Sequence, residues 1–318
     1  MRARLITINT WIFAGVGLVV RQRIRRNVRQ NALLMGFLLV LLLGASGALA
    51  AWIASPAARN CPDCSYASQA VFWAGTAFSL SSVSNVFARW MILYACGAAV
   101  IIMPIAGLMG ARAVPRLQES NAIQAALLTR LRPGEICWGR LLAALWPLLG
   151  AMGISELFWL TLQAIMLALP EQPERFAGLQ QILNVHGILL SAVFMMGALG
   201  YLFASRRRPS ALWGRGAGIA LALSAYFITG ILLVNPFMQR LKNPVPLINT
   251  ALLFNPIAAV AAALKLDILR AAWLYEHTDA HDYPFAYPLP FVTAGLFLVI
   301  GYVSIQLASK LLQYAYRS

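Results

Sequence analysis

The chain has 318 residues, of which 60% are hydrophobic and only 11% charged, with a mean hydropathy of +0.72. That composition is too apolar for an ordinary soluble domain and points to a bilayer. Its formal net charge of +15 raises nucleic acid as a partner, so the placement of the basic residues decides between the two settings.

Crossing about 30 Å of hydrocarbon takes roughly 20 helical residues. Six apolar runs meet that requirement, at about 32–54, 90–110, 141–169, 183–204, 216–236 and 289–309. They are continuously apolar and do not alternate every second residue, so helices are predicted and barrel strands are not. Seven Lys and Arg precede the first run, five lie between the second and third, four between the fourth and fifth, and two after the sixth. Eighteen of 25 therefore share one side. Cytoplasmic loops retain basic residues, so both termini are expected in the cytoplasm. The excess is a topology and lipid-headgroup signal, and no nucleic-acid partner is expected. The expected fold class is an all-α integral membrane protein, one transmembrane domain over residues 1–318 with six transmembrane helices.

Residues 1–30 combine an apolar segment with Arg21, Arg23, Arg25, Arg26 and Arg29. An N-terminal interfacial helix along the inner leaflet fits this pattern, and a signal anchor is the competing reading. The first external loop carries "RNCPDCSYA", in which Cys61 and Cys64 have the spacing of a small disulfide staple. Cys96 and Cys137 fall in apolar or helical contexts and read as small packing residues.

Between spans two and three lies a cytoplasmic region, 112–138, that holds an unusual polar passage, "PRLQESNAIQAALLTRLRPGE". Pro115 suits a first helical turn, and Pro133-Gly134 is a strong breaker. Ile123, Ala126, Leu127 and Leu131 recur at helical spacing, so they share one face. The pattern predicts a short amphipathic helix that turns sharply into span three at Gly139-Arg140. From periodicity alone, a solvated connector is an equal reading.

Glu156 sits within span three, where a carboxylate is costly and signals function by default. It suits a translocation path, a proton carrier or a site for a cationic substrate. The alternative is a polar residue held by helix–helix hydrogen bonds with Ser155, Thr161 or Gln163. His186, near the outer end of span four, reads as an ordinary interfacial residue. Arg206, Arg207 and Arg208 read as a stop-transfer cluster, with contacts to a cytoplasmic partner as the alternative. The external loop 237–288 contains "LLFNPIAAVAAAL", too short and proline-broken for a span, and is expected to form a re-entrant hairpin before span six. Its "YEHTDAHDYP" stretch has ligand-type residues, but the spacing matches no standard metal site, so a hydrated acidic loop is expected. No metal site is expected elsewhere in the chain.

The polar passage resembles the cytoplasmic loop of ABC-2-type permeases, the membrane subunits of ABC exporters. That family shows a Glu, a small-residue pair, a Leu-Leu-x-Thr-Pro stretch and then a Gly-basic pair entering span three. Glu119, Leu127, Leu128, Thr129, Leu131, Arg132, Glu135, Gly139 and Arg140 take the corresponding places. Arg130 stands where the family has Pro, and Asn121-Ala122 where it has Gly-Thr. The resemblance implies a coupling helix docked on a separate P-loop ATPase, with Glu119, Ile123, Leu127, Arg130, Arg132 and Glu135 as the contacts. It also implies a second permease chain, as homo- or heterodimer, alternating access, and a bacterial plasma (inner) membrane setting. The spans offer aromatics and small residues, which favours export of an amphipathic or lipid-like compound.

A P-loop needs a Gly-Lys pair to hold phosphates. The three lysines are Lys242, Lys265 and Lys310, and none follows a glycine. The chain is thus not expected to hydrolyse ATP; no cofactor is expected in it, and Mg-ATP would sit on the partner. The rivals are a non-transporting scaffold or assembly subunit and, less favoured, an intramembrane enzyme. His186, His277 and His281 all lie on or near the external side, so no protease constellation forms convincingly.

Overall fold

The computed structural model describes residues 28–48, 86–114, 133–168, 178–205, 216, 250, 252–265 and 289–317. Among these every regular element is helical and no strand occurs. Helix α1 is Val28–Leu39, which continues as a π-helical segment, Val40–Ala45. Helix α2, Val86–Gly97, passes through a second π-helical segment, Ala98–Ile102, into α3, Met103–Ala113. The others are α4, Pro133–Ala168, α5, Leu179–Ala204, α6, Pro256–Leu264, and α7, Pro290–Arg317.

Four helices are long and apolar enough to cross a membrane: Asn31–Ala48, Gly134–Ile165, Leu179–Ala204 and Pro290–Leu311. They fall on the first, third, fourth and sixth runs expected from the sequence. The second run, 90–110, lies within a stretch that is helical throughout from Val86 to Ala113. The fifth, 216–236, lies outside the described residues apart from Gly216, and the interfacial helix of 1–30 lies outside them apart from the start of α1. Large apolar side chains such as Phe37, Leu157, Phe291 and Val299 remain exposed, as expected of surfaces that face lipid.

One expectation is corrected. No sharp turn occurs at Gly139-Arg140, because α4 starts at Pro133 and runs through both residues unbroken. Proline breaks a helix from within, but at its first position the missing N–H has no intrahelical partner to lose. Glu135 in the first turn adds a favourable charge to the helix dipole. The same helix tolerates Pro147 in its interior.

Contacts along the helices set their relative directions. Tyr94 of α2 lies against His186 of α5, and Gly107 and Gly110 of α3 lie against Gly200 and Gly197. The α2–α3 rod and α5 are therefore parallel. Tyr94 also bonds to Ser155, while Ala113 bonds to Arg140, so α4 runs opposite to that rod. Helix α5 is the hub, packing on α3, α4, α6 and α7. Its crossing with α3 is very close. A Cβ added at Gly110 would lie 1.9 Å from the Gly197 carbonyl oxygen, and one at Gly200 would lie 2.0 Å from that of Gly107. Small residues permit this backbone approach, which is how helices associate without a hydrophobic drive.

Helix α1 is tied to α2 through its π-helical segment. Widening the turn frees carbonyls from the usual ladder, and neighbouring side chains take them. Ser46 Oγ donates to the Leu42 carbonyl, and Trp90 Nε1 donates to the Leu43 carbonyl at 3.2 Å.

Within the 237–288 loop, α6 is a nine-residue helix with eight residues buried. Asn255 Oδ1 caps it by accepting from the Ile257 amide at 2.9 Å and the Ala258 amide at 3.2 Å, with Pro256 in the first position. It ends at Lys265, which takes the left-handed conformation at φ 56°. Helix α6 packs on α2, α5 and α7, inside the bundle and at the Tyr94 end of the α2–α3 rod. A second arm of the expected hairpin lies outside the described residues, as does the acidic stretch at 275–284.

The glycine crossing gives a direct test. Gly200→Ala should lower thermal stability in detergent by roughly 3 kcal/mol or more, because backbone must move to admit the methyl. Gly187→Ala, on the same helix with nothing within 4 Å, should be neutral or slightly stabilising. Equal melting temperatures for both variants would contradict the crossing.

Candidate functional site

Two groups of polar side chains lie at opposite ends of the α2–α3 rod. The first brackets the polar passage between α3 and α4. Helix α3 ends at Ala113, with Val114 already extended. Its last carbonyls have no intrahelical donors, and the helix dipole makes that end negative. Arg140, in the second turn of α4, meets both demands, with Nε donating to the Ala113 carbonyl at 3.0 Å. The bond ties the end of α3 to the second turn of α4. Glu135 lies on α4, largely buried at 9% exposure and engaged by neighbouring groups. Of the expected coupling residues it is the one placed here; Glu119, Ile123, Leu127, Arg130 and Arg132 lie outside the described residues. Cys61 and Cys64 lie outside them too.

The second group surrounds Glu156 in α4. Glu156 is half-buried, set between buried Ser155 and Trp159 on one side and exposed Leu157 and Ile154 on the other. The hydroxyls expected to hold it are engaged elsewhere. Ser155 Oγ donates to the Met152 carbonyl at 2.7 Å, and Thr161 Oγ1 donates to the Leu157 carbonyl at 2.8 Å. With the Ser155 proton committed, the Tyr94 hydroxyl donates to Ser155 Oγ. Gln163 Oε1 is buried with no hydrogen-bond partner among the described residues.

His186 departs from its expected interfacial role. It is fully buried at 0% exposure, with its ring centroid 5.7 Å from that of Tyr94. Its Nδ1–H donates to the Ile182 carbonyl at 3.0 Å, which leaves Nε2 directed away from its own helix. Nε2 is buried and has no hydrogen-bond partner among the described residues. Aromatic rings close the group: Trp90 lies 4.9 Å from Trp159 and 5.5 Å from Phe158, both edge-on, and Tyr94 lies 5.9 Å from Trp159.

Sequence reasoning found Glu156 and missed Tyr94 and Trp90. The signal that bears on Tyr94 is depth. Counting antiparallel spans inward from their ends puts residues near 94 and 155 level with each other. Cys96 and Cys137 are free thiols in the buried core, as expected. No group of three or more His, Cys, Asp or Glu residues suited to a metal occurs among the described residues.

Removing the Arg140 tie should be measurable without knowing the function. Arg140→Ala should cost about 1–2 kcal/mol of thermal stability through the lost charged hydrogen bond and dipole term. Arg140→Lys should recover only part of it, since an ammonium restores the charge but not the guanidinium geometry. A melting curve unchanged in Arg140→Ala would contradict the tie.

In comparisons with family models, with curated proteins and with solved structures, nothing matches this chain.

Proposed function

We propose that the chain is the permease subunit of an ABC-type exporter, driven by a separate P-loop ATPase subunit. The observation that carries this reading is the tie from Arg140 to Ala113, which holds both ends of the polar passage to long helices. A docking segment anchored in that way passes a push from below into α3 and α4 as rigid-body tilts. A freely hanging connector would absorb it. The residue order from Glu119 to Arg140 is the second support, since it follows the coupling loop of ABC-2-type permeases. The absence of a Gly-Lys phosphate loop from the sequence agrees with an engine on another chain.

In this reading the amphipathic helix ending before Pro133 docks in a cleft of the ATPase, with Glu119, Ile123, Leu127, Arg130, Arg132 and Glu135 as its contacts. A second permease chain faces the first, and alternating access moves an amphipathic or lipid-like compound out of the cell. In this reading both termini lie in the cytoplasm, which the distribution of basic residues supports, and the membrane is a bacterial plasma membrane.

The test is co-purification from native membranes solubilised in mild detergent. A P-loop ATPase should co-elute with the wild-type chain. Glu119→Arg should reduce that recovery about tenfold or more, by placing like charge in a docked contact. Absence of any such ATPase, or full recovery with Glu119→Arg, would sink the proposal.

A further inference from the structure

We infer that the Trp90 indole is a latch on the π-helical turn of α1, and that α1 shifts its register by about one residue when Trp90 withdraws. The two π-helical segments have different origins. In the second, Ala98–Ile102, the sequence itself interrupts the regular ladder. Pro104 follows it in the first turn of α3 and has no N–H for the Val100 carbonyl, four residues earlier. A π turn bonds i→i+5 and so passes over the missing donor. That turn is built in. The first segment, Val40–Ala45, has no such cause. No proline occurs between Val28 and Ala48, so every residue there can donate to an ordinary α-helical ladder.

What distinguishes the first segment is its neighbour on α2. Trp90 Nε1 donates to the Leu43 carbonyl at 3.2 Å and lies 3.1 Å from Ser46 Oγ, whose own proton goes to the Leu42 carbonyl. The ring sits on Gly47, where an added Cβ would lie 3.0 Å from Trp90 Cε2. Leu42, within the turn, lies against Gly97, the last residue before the second π segment; a Cβ there would be 3.4 Å from Leu42 Cδ2. The fixed turn therefore adjoins the conditional one and sets where α2 presents Trp90.

Without the indole, the described donors left to the Leu43 carbonyl are the Ser46 amide, in a tighter i→i+3 bond, and Ser46 Oγ at 3.4 Å. Rewinding offers that carbonyl the amide four residues on, and in hydrocarbon the better-satisfied backbone is favoured. A π turn holds about one residue more than the α turn that replaces it. Its loss turns the earlier part of α1 by about 100° and moves it by about 1.5 Å relative to Ser46. Each residue before the turn then takes the place its predecessor held. Helix α4 registers the change. Met35 faces Gly150, where an added Cβ would lie 2.6 Å from Met35 Sδ, while the Cβ position of Gly36 has nothing within 4 Å. After the shift Gly36 faces Gly150, and buried Leu38 takes the exposed place of Phe37. The latch stands by itself; as a step of the exporter's stroke, handing motion of α2 to α1, it rests on the proposed function.

Disulfide formation in nanodiscs reads the register, on the full chain with Cys61, Cys64, Cys96 and Cys137 replaced by alanine. Gly150→Cys is paired with Met35→Cys or with Gly36→Cys, oxidised with copper phenanthroline, and the linked peptides are quantified by mass spectrometry. With Trp90 in place, the Met35→Cys pair should link faster. Trp90→Phe, which keeps a ring and removes the donor, should shift the ratio of the two rates about fivefold or more toward the Gly36→Cys pair, the worth of one hydrogen bond. Ser46→Ala, which removes the hydroxyl beside the indole, should shift it the same way by a smaller step, and serves if Trp90→Phe is not recovered folded. Faster linkage of the Gly36→Cys pair with Trp90 intact, or an unchanged ratio in the folded variant, would overturn the latch. The chain is measured alone, so failure here leaves the coupling proposal standing, and failure of co-purification leaves the latch standing.

Discussion

The close crossing of α3 and α5 is the constraint on which the rest of this bundle depends. Within lipid, apolar side chains gain little by leaving hydrocarbon for protein, so helices associate through close packing and polar contacts. At Gly110 and Gly200 the two backbones come so close that an added Cβ would lie 1.9 Å from the Gly197 carbonyl oxygen or 2.0 Å from that of Gly107. Around that crossing α5 gathers α4, α6 and α7. Leu145 of α4 packs on Gly197 itself, so the seat of α4 depends on the same bare surface. The parallel course of the α2–α3 rod and α5 then sets Tyr94 beside His186 at the other end.

The two polar groups share one mechanical element. Ala113 and Tyr94 lie on the same rod, about 28 Å apart along its axis at 1.5 Å per residue. Helix α4 runs alongside and carries Arg140 and Ser155 opposite them. Motion delivered at the Arg140 end would reach Glu156 through two helices tied at both ends. Between the ends lies the π-helical segment Ala98–Ile102, a locally wider turn of the kind often found at functional positions. In the proposed function this is the route by which docking below reaches the helices that move.

Much of the architecture was legible in the sequence, for a simple physical reason. Hydrocarbon imposes a length and an apolarity that a one-dimensional scan can read, and four of the six expected runs coincide with helices able to cross a bilayer. The start of α4 was misread because Pro133-Gly134 carries opposite meanings inside a helix and at its first turn. The glycines at 107, 110, 197 and 200 gave no signal, because glycine is common in membrane helices and only the partner helix reveals which ones are in contact. Glu156 stood out because charge is rare at that depth. His186 was misjudged from its nearness to a span end, since nothing in the sequence showed that it would be buried with Tyr94 against it.

The central claim is that the polar passage grips an ATPase. The most direct measurement is site-specific photocrosslinking in native membranes, with a benzophenone amino acid in place of Ile123 and mass spectrometry of the adduct. The account predicts a crosslink to a peptide of a P-loop ATPase subunit. Adducts confined to lipid, to this chain or to a protein without a phosphate-binding loop would contradict it.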